Sequence, residues 1–92
     1  MRPAAVVARP IGDDVILGFI TSHLETMDPR AEHLLQPKDR EFAGTGLRAA
    51  SILRLNKLAT LHRALVRRRL GRLSASSRER VADALRYVFG LA

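Results

Sequence analysis

Residues 14–22 read DVILGFITS. The stretch is rich in β-branched and aromatic side chains and continuously apolar in its middle, so it reads as a central strand covered on both faces. Residues 11–14 (IGDD) ahead of it form a turn. Before that turn, residues 4–8 (AAVVA) follow Pro3 and are stopped by Arg9 and Pro10, the pattern of a short buried strand. If the two strands pair antiparallel through the turn, the start of one meets the end of the other. That pairing sets Arg2 and Pro3 beside Thr21 and Ser22.

Beyond residue 25 the chain turns polar, with Met27-Asp28-Pro29 and Gln36-Pro37 as breakers. This leaves room for a short strand at 33–35 and a turn of helix at 38–43, ended by Gly44-Thr45-Gly46. Residues 51–55 (SILRL) alternate as a strand that can continue through Lys57 and Leu58 towards Thr60, and residues 64–68 form a further extended piece. The last segment is an amphipathic helix. Ser74 is its N-cap, Val81, Ala84, Leu85, Val88 and Phe89 form one apolar face, and Gly90 stops it. Phe19 and Phe89 are assigned to the core. The expected fold is α+β, mainly β: one domain over residues 1–92, a strongly bent sheet or partial barrel with the terminal helix closing an open face. A sheet of so few strands leaves an edge or an apolar face unpaired unless another chain covers it, so oligomerisation is expected.

The size of the chain, 92 residues, suits a single modest core. There is no cysteine, which excludes disulfides, thiolate nucleophiles and cysteine zinc sites. No apolar run approaches the roughly 20 residues that span a bilayer, and 4–8 is too short for a secretory signal. A soluble, cytoplasmic protein without membrane partners is expected. The net charge of +7 is uneven: residues 1–46 carry five basic and seven acidic side chains, residues 47–92 eleven and two. Such a basic half attracts polyanions by Coulomb attraction and counterion release, making nucleic acid the first partner to consider. A solvated, solubilising face is the plainer alternative.

Metal chemistry finds no support, because His23, His33 and His62 lack ligand spacing. No metal and no cofactor is expected. No phosphate-binding loop, dinucleotide fingerprint or nucleophile elbow occurs either. What remains is the sheet end where Arg2 meets Thr21 and Ser22: a fixed positive charge beside two hydroxyls can hold a phosphate and stabilise charge developing on it. Equally, a Thr-Ser pair commonly ends a strand by bonding its own backbone. Arg67, Arg68 and Arg69, extended by Arg63 and Arg72, are a second candidate phosphate contact, or else a strand edge kept soluble by charge. The aromatic residues are Phe19, Phe42, Tyr87 and Phe89, too few to support recognition by base stacking.

The order of segments is similar to something specific. RPAAVV, then DVILGFITSH, then GLRAASILRLNKLATL, then RRLGRLS before a terminal helix together resemble the MazF/PemK-like toxins of type II toxin–antitoxin pairs. The resemblance covers nearly the whole chain. It implies an SH3-like barrel that forms a homodimer, cleaves single-stranded RNA without metal by 2′-hydroxyl attack, and is silenced by a cognate antitoxin lying in the RNA groove. On the matching motifs, Arg2 resembles the family's catalytic arginine and Thr21 its transition-state threonine, with Ser22 beside it. His23 stands in place of a usual polar residue that could contact a base, and Arg63, Arg67, Arg68 and Arg69 would guide RNA in. Asn56 and Ala50 replace a common aspartate and proline. Family members carry a first strand and a mobile loop ahead of the R-P pair, whereas here only Met1 precedes Arg2. The resemblance therefore leaves two further readings open, a shortened relative that keeps dimer and antitoxin binding without cleavage, and a small basic nucleic-acid-binding protein.

Overall fold

The computed structural model describes residues 3–10, 12–66 and 71–91. Strands β1 (Ala4–Ala8), β2 (Asp14–Thr21), β3 (Glu32–Leu35) and β4 (Ser51–His62) form one antiparallel sheet in the order β1-β2-β4-β3. It curls into a half-barrel, and the one α-helix among the described residues, α1 (Ala75–Val88), packs against β3 and β4. The expected partial barrel with a C-terminal helix is thus what forms. No helix among the described residues is long and apolar enough to cross a membrane.

The curl comes from two irregularities in the ladder. β1 and β2 lose register between Val6 and Ala8. On β4, Gly18 pairs with Leu58 but Phe19 pairs with Arg54, so residues 55–57 bulge out of the pairing. Extra residues on one strand bend it and increase its twist. Gly18 makes room for this bend, since a Cβ there would meet Leu53 Cδ1 at 2.9 Å and Leu55 Cδ1 at 3.5 Å. Leu53 and Leu55 are the largest fully buried side chains. Around them pack Ile20, Val81 and Ala84, with Ala5, Val7, Leu47, Leu58, Leu73, Leu85 and Val88 at the margin.

The helix ends are specified locally. Ser74 Oγ accepts the Ser77 amide at 3.1 Å. At the other end Gly90 adopts φ 70°, its amide donating to the Tyr87 carbonyl, while Leu91 N donates to Arg86 O. This is the paired-bond arrest that only a residue tolerant of positive φ allows.

Several expectations need correction. β1 is a half-exposed edge strand rather than a buried one, with Val6 41% exposed. β2 is central in order and carries buried side chains on both faces, Val15 and Leu17 on one and Ile20 on the other, as expected, but the cover stops short of Phe19, which is 38% exposed. Phe89 is 61% exposed, since it is the C-cap, where the backbone leaves the helical path and turns the side chain off the apolar face. Phe42 is the aromatic ring that is buried. The helical turn expected at 38–43 is a 3₁₀ turn at Phe42–Thr45, and part of the extended piece expected at 64–68 is a 3₁₀ turn, Arg63–Leu65. Residues 67 and 68 lie outside the described residues.

Candidate active site

Thr21 is the last residue of β2 and half-buried; its neighbour across the sheet is Ile52, near the start of β4. On the other side, Ile20 N donates to the Pro3 carbonyl at 3.1 Å, so the β1–β2 pairing reaches Pro3 at this end of the sheet. Arg2 lies outside the described residues. Just past the strand, the His23 amide donates to Thr21 Oγ1 at 3.0 Å. This local turn fills one lone pair of the hydroxyl, and among the described residues its proton has no acceptor. Ser22 is exposed beside it. The His23 ring is also exposed, with Nε2 3.4 Å from Glu25 Oε2.

Directly behind this end lies a pair that the sequence reading does not single out. Arg54 Nη1 meets Glu32 Oε2 at 3.0 Å, with side chains only 12% and 5% exposed. The available signal is the alternation of SILRL, in which Ser51, Leu53 and Leu55 turn to the core and Arg54 shares the opposite face with Ile52. A buried cation between two apolar residues implies a buried anion, but only the β3–β4 register identifies it as Glu32.

Arg63 is not brought to Thr21. It follows β4 at the far end of the sheet, where Asp14 pairs with His62, and its Nε lies 3.2 Å from Asp13 Oδ1. The length of β2 separates the two, about 23 Å at ~3.3 Å per residue. Arg67, Arg68 and Arg69 lie outside the described residues. Each histidine is engaged on its own: His23 with Glu25, His33 with Ser77 and His62 with the Ala64 amide. Among the described residues no group of three potential ligands could hold a metal ion.

One family model, described as the PemK-like, MazF-like toxin of type II toxin–antitoxin systems, matches residues 1–89. The chain belongs to that family. Solved structures share its fold. The Mycobacterium tuberculosis toxin MazF-mt6 superposes with a TM-score of 0.79 at 23% identity, over 99% of this chain and 88% of its own. A second toxin, from Mtb, gives 0.76 at 22%, over 96% and 92%. An endoribonuclease from a mycobacterial species gives 0.75 at 18%, over 98% and 81%. A search of curated proteins finds no significant match.

Proposed function

We propose that the chain is the toxin of a type II toxin–antitoxin pair, a single-domain endoribonuclease that works in the cytoplasm as a homodimer and cuts single-stranded mRNA without a metal. The observation that carries this is the family match across residues 1–89, on a fold in which the His23 amide donates to the Thr21 hydroxyl at the sheet end. In the proposed reaction the ribose 2′-oxygen attacks the adjacent phosphorus and the bond to the 5′-oxygen breaks. The 2′-hydroxyl loses its proton to a base, and the leaving 5′-oxygen gains one. The products are a 2′,3′-cyclic phosphate and a 5′-hydroxyl. Arg2 serves as acid/base or phosphate-stabilising group. Thr21 and Ser22 donate to the charge that builds on the phosphoryl oxygens. His23 stands where a base next to the cut would lie, and Arg63, Arg67, Arg68 and Arg69 draw the RNA strand in by charge. A cognate antitoxin is the expected partner, as for any member of a type II pair.

The test is incubation of the purified protein with RNA in EDTA. Cyclic-phosphate ends should form, and Arg2→Ala or Thr21→Ala should each lower the rate by about 10² or more, the usual loss when one charge-stabilising donor is removed. Absence of cleavage by the native chain, or full activity in both variants, would refute the proposal.

A further inference from the structure

The register sets Ala4, Phe19, Arg54 and Glu32 in one row across all four strands, and Thr21, Ile52 and Leu34 in the next row on the same face. Arg54 is therefore a diagonal neighbour of Thr21. Its pairing with Glu32 is almost fully buried. Removing two charges from water is expensive, and apolar side chains of similar volume commonly hold a fold as well or better. Glu32 Oε1 is also buried with no hydrogen-bond partner among the described residues, a further cost. Stability alone does not account for this pair.

What the pair does hold is the segment that follows Thr21. Residues 22–28 form no strand or helix. Arg54 Nη2 donates to the Glu25 carbonyl at 3.0 Å, and the Met27 amide donates to Glu32 Oε2 at 3.3 Å. One residue further on, Tyr87 of the helix donates to Asp28 Oδ2 at 2.8 Å. Between Thr21 and these anchors lie residues 22–24, all exposed, and the His23 amide donates to the Thr21 hydroxyl oxygen. A continuous chain of contacts thus runs from Arg54 through the loop backbone to the hydroxyl at the sheet end.

We infer that Arg54 and Glu32 are positioning residues: by clamping the 22–28 loop they fix Ser22 and His23 relative to Thr21 and so set which base is accepted beside the scissile phosphate. The inference rests on the proposed ribonuclease activity for its second half, while the clamp itself is independent of it.

The experiment uses the full chain and a panel of RNA oligonucleotides that differ at single bases flanking the cut. kcat/KM on each, Tm, and hydrogen exchange at the Met27 amide are measured for the native protein, Glu32→Gln, Arg54→Lys and the double variant Glu32→Met with Arg54→Met. The double variant replaces the charges by apolar groups of similar volume and should melt within a few degrees of the native chain or above it. Its Met27 amide should exchange at least about tenfold faster, and the ratio of kcat/KM between best and second-best RNA should fall by about tenfold. Glu32→Gln keeps acceptors for Arg54 and Met27 and should retain most of the preference. A double variant that is folded and keeps the native preference overturns the specificity role. If the double variant does not fold, Arg54→Lys decides, because an ammonium cannot reach Glu32 and Glu25 together as the guanidinium fork does; native preference there is equally fatal. Should the native chain cut no RNA, the proposed function fails, and Met27 exchange then judges the clamp alone: equal rates in native and double-variant protein overturn it.

Discussion

His33 sits on β3 with 7% of its surface exposed, its Nε2 3.0 Å from Ser77 Oγ on the helix. Burial pushes its pKa below the ordinary value, the Arg80 charge adds to this, and Asp39 and Glu41 oppose it. The neutral ring is thus the native form. Because the unfolded chain binds the proton more readily, His33 contributes its full stability above about pH 6.5 and loses it as pH falls from there towards the lower native pKa. Glu41 stays ionised through that window, its carboxyl held below the usual range by its own backbone amide and then by the Ser76 hydroxyl. The native protein is expected to lose thermal stability between pH 7.5 and 5.5, and His33→Gln to show a smaller loss. Parallel melting curves for the two proteins over that range would contradict this. At the same scale, β-strand alternation marks position 33 as one side chain of a strand, but its partner is forty-four residues away in sequence. Nothing short of the packed helix supplies it.

Among the elements, β2 and β4 determine most of the shape. Gly18 lets Leu53 and Leu55 of β4 pack directly against the β2 backbone. Gly18→Val forces side chains against a core that has no slack and should destabilise by about 1–3 kcal/mol; chemical denaturation would report it, and an unchanged midpoint would show that the core yields. The helix depends on its cap. Ser74→Ala removes the acceptor for the Ser77 amide and is expected to cost about 1 kcal/mol, again read from the denaturation midpoint. These local features were legible because each rests on chemistry of neighbouring residues: a serine before an apolar period of 3.6, a glycine after it, a β-branched run before a Thr-Ser end. Exposure was legible only in part. The apolar content of β2 pointed to cover on both faces, and Val15, Leu17 and Ile20 are buried, but Phe19 in the same run is 38% exposed, which depends on how far the covering segments reach and on no local pattern.

For the whole molecule, Arg63 and the Thr21 end of the sheet are different parts of the surface. Thr21 lies at one end of β2 and Arg63 at the other, so a strand of RNA touching both would have to run along the sheet. If it does, affinity for a single-stranded oligonucleotide falls with salt, log Kd changing by roughly 0.7 per log unit of salt for each phosphate neutralised. Replacing Arg67, Arg68 and Arg69 together by Ala should flatten that slope by about 2 if all three act. Titration at several salt concentrations checks this, and an unchanged slope would remove these arginines from the binding path.

Local sequence determined the strands, the helix with both of its ends, and the order of segments that marks the PemK-like, MazF-like family, because each is fixed by side chains within a few residues of one another. It also placed Thr21 at a strand end opposite the start of the chain, since antiparallel pairing through a short turn leaves few registers. Only the tertiary structure decided that Arg54 and Glu32 meet behind that end and take hold of the following loop. That contact depends on the register between β3 and β4, which are separated in sequence by a polar stretch whose path no local rule sets.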